Sequence, residues 1–251
     1  MLKQSTKLPI ITSFDLLKTT ATLCLIINHY GYFFDNNLEF FQIIGHFGYL
    51  LFIFCFGYNK QFNFNPIMLF LAILMVINSL VIEPDKLILS KLLDDHILFS
   101  VIIAQIFMYF VSSRLKEENI FSWIILLELI ALPTGLIFQF GSEGITICIC
   151  GYLCGSLMSK RIYNIFLVIS LTCYALIEMM KFKLDLWWIL VIFLVFILLW
   201  QMILSFETKH IKIHVLIDKV ILFTSKYSLL IFFVHYEAFK AIHWGLLKYL
   251  H

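Results

Sequence analysis

The chain has 251 residues, 62% of them hydrophobic and 14% charged, with a mean hydropathy of +0.96, against about half apolar and about a quarter charged in a soluble domain. So few polar side chains cannot cover a water-soluble protein of this size, which makes lipid the solvent for much of its surface. The net charge of +2 is near balance, and the 18 basic residues are scattered, which excludes a tract able to follow a nucleic-acid backbone.

A bilayer core calls for about 20 mostly apolar residues of helix. Read in chain order, runs of this kind fall near residues 10 to 33, 40 to 58, 66 to 82, 98 to 113, 120 to 139, 143 to 159, 162 to 180, 185 to 204 and 220 to 242. The expectation is an all-α, polytopic transmembrane bundle of nine or ten spans. Residues 83 to 97, where Leu87, Leu89, Leu92 and Leu93 sit among charges, read either as a surface helix or as part of the tenth. The loops are short and no linker or low-complexity segment divides the chain, so residues 1 to 251 read as a single membrane domain. Asp15 and Lys18 interrupt the first apolar run and no small-x-small cleavage motif follows it. It is expected to stay as the first span.

Ionisable groups at membrane depth are costly, which makes each one a functional-site candidate. The first span holds Asp15, Lys18 and His29 within FDLLKTTATLCLIINHYGYFF, with Asn28 beside the histidine. At about 100° per residue, Lys18 and His29 return to within about 20° of one another, separated by about 16 Å of rise. Asp15 and Thr22 share that stripe. An ion pair at the cytoplasmic interface is the plain structural account of Asp15 and Lys18, and an interhelical hydrogen bond is that of His29.

The last span repeats the theme in SKYSLLIFFVHYEAF, where Ser228 and His235 are seven apart on one face, near Lys226, Tyr227 and Glu237. The plain account here is a histidine anchored at the interface beside Tyr236. His46, Gln105, Glu128, Glu143 and Glu178 read as helix–helix hydrogen-bonding groups. Cys24, Cys55, Cys148, Cys150, Cys154 and Cys173 all lie in apolar stretches without metal-ligand spacing. They are expected to be inert, and no metal is expected. No GxGxxG, Walker A or GxSxG motif is present, so any energy the reaction uses must arrive in its substrates.

FDLLK, then His29 eleven residues after Lys18, then YGYFF resembles the opening of the TraX family of membrane acetyltransferases, which reads DLLK, an apolar run and DHIGYFF. Asn28 replaces the family's Asp. IIGHFGYLLFIFCFGY at 43 to 58 is similar to the family's IGRxAFPLFAFxxxxGY block, with His46 in place of the Arg and Gly48 and Tyr49 in place of the aromatic-Pro pair. HILFS at 96 to 100 resembles NILFT, FGSEGITICICGYLCG at 140 to 155 resembles a YGxxG block, and KYSLLIFFVHY at 226 to 236 resembles an SLxIYxxH ending. The family is similar in turn to the family 3 acyltransferases and heparan-α-glucosaminide N-acetyltransferase.

The resemblance implies transfer of an acetyl group from cytoplasmic acetyl-CoA, without a metal, to an amine or hydroxyl of a protein or glycan acceptor, by an enzyme of a bacterial inner membrane. Acyl transfer needs a base for the acceptor proton, and an imidazole, with an ordinary pKa of about 6.5, suits that near neutral pH. His29 is the candidate base, with Asn28 to orient it or bind the oxyanion. Asp15 and Lys18 fall nearer the cytoplasmic mouth, where the cation would attract the phosphates of CoA. His46 is the third candidate on the donor side, and Ser228 and His235 are second in rank. The rival class is a transporter or flippase relaying protons through buried His, Lys and Glu. Against it stand the lack of an internal repeat and the solitary break at Pro133 and Gly135. A third class is a structural subunit; acetyl-CoA binding or slow hydrolysis in detergent separates the enzyme from both.

Orientation follows from the excess of Lys and Arg in cytoplasmic loops. With the N-terminus inside, Lys3, Lys7, Lys60, Arg114, Lys116, Lys160, Arg161, Lys209, Lys212 and Lys219 are cytoplasmic, against Lys86, Lys91, Lys181, Lys183, Lys240 and Lys248 outside. In intact cells an impermeant thiol reagent is therefore expected to reach Ser90→Cys, and to reach Asn119→Cys only once the membrane is opened. Labelling of Ser90→Cys only after opening overturns this orientation.

Overall fold

The computed structural model describes residues 10–34, 38–60, 62, 65–82, 97–116, 118–130, 134, 141–154, 160–182, 186–204 and 206–250. Helices dominate: α1 (Ser13–Phe34), α2 (Leu38–Tyr58), α3 (Pro66–Ile82), α4 (Ile97–Val111), α5 (Ile120–Leu129), α6 (Gly141–Cys154), α7 (Lys160–Phe182), α8 (Leu186–Leu204), α9 (Val215–Lys226) and α10 (Ser228–Leu250). Two short strands, β1 (Ile11–Thr12) and β2 (His210–Ile211), pair antiparallel with Ile11 opposite Ile211. Among the described residues no helix is long and apolar enough to cross a membrane.

The contacts group into two compact units, Met1–Phe52 with Glu207–His251, and Ile53–Phe206, so the division falls within α2. In the first unit α1 packs against both α9 and α10. Its start is fixed by hydrogen bonding: the Ser13 N–H donates to the Lys209 carbonyl at 2.8 Å, and the Ser13 hydroxyl donates to the Glu207 carbonyl at 2.7 Å. A glycine seam brings α2 onto α1. A Cβ at Gly45 would run into the Asn28 carboxamide, and one at Gly48 would meet Cys24 and the Ala21 carbonyl. Helices whose backbones approach closely use small residues at the crossing in this way.

In the second unit α6 is central, packing against α4, α5 and α7, with α3 on α4 and α8 on α7. The end of α2 crosses α6 backbone to backbone: a Cβ on Gly57 would strike the Cys148 carbonyl, and one on Gly151 the Phe54 carbonyl. Two buried helix hydroxyls are satisfied locally, Thr146 on the Ser142 carbonyl and Ser170 on the Phe166 carbonyl, while Ser142 reaches across to the Leu127 carbonyl of α5. The outward face is apolar. Ile67, Phe70, Val81, Leu129, Trp187 and Leu194 are exposed, Val81 and Leu129 by 75% and 73%.

Two expectations need correction. The apolar run 220 to 242 is not one span: the chain breaks at Tyr227 (φ −105, ψ 18), ending α9 and starting α10. Hydropathy cannot register the break, because both sides of it are apolar. The first helix begins at Ser13 instead of residue 10, because Ile11 and Thr12 are spent on the strand pair. Residues 83 to 96, which include Ser90, lie outside the described residues, as do Pro133 and Gly135 and the side chains of Glu143 and Glu178. Cys55, Cys148 and Cys150 are buried and the other three cysteines half-buried, all as free thiols.

The two glycine environments make a stability test. Gly57→Ala forces a Cβ into the backbone of α6 and is expected to cost about 1–3 kcal/mol, the usual penalty of overpacking. Gly245→Ala meets nothing within 4 Å and should leave the protein unchanged or slightly stabilised. Melting of the detergent-purified variants checks both, and a Gly57→Ala protein as stable as its parent would show that the crossing has room to give.

Candidate functional site

The site grows from the first residues of α1. Thr12 precedes the helix and Asp15 is its third residue, so the two form a reciprocal cap. The Asp15 N–H donates to Thr12 Oγ1 at 3.2 Å, and Asp15 Oδ2 accepts from the Thr12 N–H at 3.0 Å and from its hydroxyl at 2.7 Å. The other carboxylate oxygen, Oδ1, accepts from the Ser225 hydroxyl of α9 at 2.8 Å. One turn on, the Thr19 hydroxyl donates to the Ile221 carbonyl of α9 at 3.1 Å. Asp15 is thus engaged at both oxygens, Oδ2 in the cap with Thr12 and Oδ1 in joining α1 to α9.

Thr22, one heptad beyond Asp15, is fully buried and returns its hydroxyl to the Lys18 carbonyl at 2.9 Å. One heptad further stands His29. Its Nδ1 lies 2.8 Å from Nε2 of His235 on α10, and Nδ1 of His235 lies 2.7 Å from the Ile231 carbonyl oxygen. The rings are near-parallel, 26° apart, with centroids at 5.0 Å. Phe232 and Tyr236 close around His29 at 5.3 and 5.0 Å between centroids.

A carbonyl oxygen can only accept, and this fixes the direction of the chain of bonds. With both rings neutral, His235 carries its proton on Nδ1 and offers a bare Nε2. That nitrogen accepts from the Nδ1–H of His29, which leaves the lone pair of His29 on Nε2. An imidazole so held is a base whose second nitrogen is oriented by a neighbour.

The sequence candidates therefore divide. His29 and His235 meet directly. Asn28 packs on Gly45, and His46 stands one residue beyond that contact on α2. Lys18 is half-buried on α1, and Ser228 is buried at the first position of α10. Ser228 and His235, seven residues apart on one helix, are separated by about 10 Å of rise. Gln105 is buried on α4 and Glu128 half-buried on α5, both in the second unit.

Two residues of the site escaped the sequence reading. Tyr236, read above only as the neighbour of His235, is buried against His29, and Lys240, counted above with the outer loops, is 3% exposed on α10 with Nζ 6.0 Å from the Tyr236 ring centre. The signal that could have found them is the spacing 232, 235, 236, 239, 240 and 243, a helical stripe of rings and cations. Phe239 packs on Phe34 and His243 on Phe33, continuing the stripe along α1.

A family model described as TraX protein matches residues 13–197. The match takes in Asp15, Lys18, Asn28, His29 and His46 and stops short of Ser228 and His235, which geometry alone connects to the site. No curated protein and no solved structure matches the chain.

Because Asp15 is held from both sides, Asp15→Ala should remove the cap and the tie to Ser225 together, at an expected cost of about 1–3 kcal/mol. Ser225→Ala, which removes one bond, should cost less. Thermal melts of the two variants give the order, and an Asp15→Ala protein melting with the parent would deny the carboxylate this holding role.

Proposed function

The chain belongs to the TraX family, and from that premise we propose that it is an integral membrane acetyltransferase, carrying an acetyl group from cytoplasmic acetyl-CoA to an amine or hydroxyl on a protein or glycan. The observation that carries the reading is the directed pair His29–His235, 2.8 Å apart and anchored on the Ile231 carbonyl. Such a pair leaves one basic nitrogen, on a residue of α1, to meet an acceptor proton.

The membrane setting rests on the sequence and on the exposed side chains. The 19 residues of α8, Leu186–Leu204, contain no charged residue, and the chain as a whole has too few polar side chains to cover a water-soluble protein of its size. Trp187, Leu190, Leu194, Ile197 and Leu198 are exposed along that helix. A bacterial inner membrane with the N-terminus in the cytoplasm is the setting in which acetyl-CoA is available at the start of α1.

In the reaction, the acceptor N–H or O–H gives its proton to Nε2 of His29 while the acceptor atom attacks the thioester carbonyl carbon. The carbonyl electrons move onto oxygen and return as the C–S bond breaks, releasing the CoA thiolate. The proton on Nε2 then passes to the thiolate, giving free CoA and a neutral His29. His235 acts as a positioning residue, its Nε2 accepting from Nδ1–H of His29 throughout. Asn28 would supply a donor to the oxyanion, Lys18 a charge for the CoA phosphates, and His46 a further polar group on the donor side.

Turnover of acetyl-CoA by the purified protein, with hydroxylamine as acceptor, tests the assignment. His29→Gln is expected to lower kcat by about 100-fold or more, the usual worth of a positioned base, with melting unchanged. His235→Gln, whose carbonyl can still accept from His29, should keep more activity than His235→Phe. Lys18→Met should raise the KM for acetyl-CoA and Lys18→Arg should spare it. A fully active His29→Gln protein would sink the base assignment, leaving His29 as a helix-bridging hydrogen bond worth on the order of 1 kcal/mol.

A further inference from the structure

Helix α9 is built inside out. Its 12 residues turn Asp218, Ile221 and Ser225 inward, where Ser225 bonds Asp15 and the Ile221 carbonyl takes the Thr19 hydroxyl, while Leu216, Val220 and Phe223 stand outward, 67%, 62% and 59% exposed. At about 100° per residue, those three share one stripe, and Lys219 and Lys226 fall together along a single edge of it. Both lysines are exposed, and Lys226 lies over the exposed ring of Tyr227, 5.2 Å from its centre. Exposed Lys209 and Lys212 precede the helix, Lys209 beside Glu207 at 3.2 Å.

The ends of α9 are fixed. His214 caps its start, with Nδ1 accepting from the Leu216 N–H at 3.4 Å, and Tyr227 ends it. Twelve residues rise about 18 Å, well short of a hydrocarbon core of about 30 Å. A short helix with an apolar stripe, a cationic edge and a terminal tyrosine has the form of one that lies in the membrane boundary.

We propose that α9 lies in the plane of the membrane–water boundary on an anionic phospholipid leaflet, with Leu216, Val220 and Phe223 among the upper acyl segments and Lys219 and Lys226 at the headgroups. This rests on the membrane reading above and adds to it a lipid preference and a depth. By tying α9 to Asp15 and Thr19, the fold sets the depth of the start of α1 and, with it, of Lys18. The lysine edge selects acidic headgroups by charge, since each lysine near a surface favours them about fivefold.

The experiment uses the full chain in phosphatidylcholine vesicles with and without phosphatidylglycerol, with bimane on Leu216→Cys, Val220→Cys, Phe223→Cys or, as a reference on α8, Leu194→Cys, the label signal of the parent chain being subtracted. Quenching by lipids brominated at shallow or deep acyl positions reads depth. The expected result is shallow quenching at the three α9 sites, about 5–10 Å into the leaflet, and deep quenching at Leu194→Cys. With Leu194→Cys deeply quenched, α9 sites that are unquenched, in water or under a protein partner, overturn the proposal, and so do α9 sites quenched as deeply as the reference. Absence of quenching at Leu194→Cys as well removes the membrane reading itself. Quenching of the Phe223→Cys label by brominated phosphatidylglycerol should exceed that by brominated phosphatidylcholine, and the ratio should fall about fivefold with Lys219→Gln and again with Lys226→Gln. A ratio unmoved by both substitutions overturns the anionic preference.

Discussion

A buried polar group on a helix needs a hydrogen-bond partner, and much of the arrangement of this chain follows from meeting that demand internally. Thr22 and Ser170 return their hydroxyls to carbonyls one turn back. Other polar side chains bind across to a neighbouring helix: Asp15 to Ser225, Thr19 to Ile221, Ser142 to Leu127. These cross-links, with the glycine seams at Gly45, Gly48, Gly57 and Gly151, supply a specificity that apolar burial, being non-directional, does not. His29 and His235 belong to the same logic, with the difference that their chain of bonds ends on a nitrogen that can still take a proton.

Much of this was legible in the sequence for a simple reason: apolar runs long enough to matter are rare, and their polar interruptions mark their ends. The helical runs expected near 40 to 58, 66 to 82 and 185 to 204 coincide with α2, α3 and α8 to within two residues, although among the described residues no helix is long and apolar enough to cross a membrane. The heptad Asp15, Thr22, His29 was visible as a stripe, because residues seven apart share a helix face whatever they touch. The break at Tyr227 was not, since hydropathy averages across a single turn of irregular backbone. The fate of Asp15 was hidden for another reason. An acidic residue three after a threonine is equally a reciprocal cap or half of an ion pair, and only the position of Ser225 shows how its second oxygen is spent.

The family match and the geometry speak for different halves of the site. The match covers the part of the chain that carries Asp15, Asn28 and His29 and ends before α9 and α10. The fold returns the C-terminal residues to α1, so that Ser225 and Ile221 meet its start and His235 meets its far half. Tyr236 and Lys240 follow on the same helix face. A charge on Lys240, held 3% exposed near the Tyr236 ring, lies in the low-dielectric surroundings where one charge acts on another most strongly. Its loop assignment came from counting charges by position along the chain, which carries no information on burial.

The direction of the histidine chain constrains the proposed chemistry more than the presence of two histidines would. A relay passes a proton onward only if its last member can accept one, and here the last member is the Ile231 backbone carbonyl, already taking the Nδ1–H of His235. His235 can steady an imidazolium at His29 by accepting from its Nδ1, yet it cannot carry the proton away without abandoning that carbonyl. A proton collected at Nε2 of His29 must therefore leave by Nε2. In acyl transfer this is the required economy of motion, because the thiolate that needs the proton forms where the acceptor gave it up. For a proton relay through the two histidines it would be a dead end, since the Ile231 carbonyl at its end cannot take the proton on. The bond between Ile231 and His235 thus speaks against the relay on which the carrier reading would draw, while it leaves the transfer chemistry at Nε2 of His29 open.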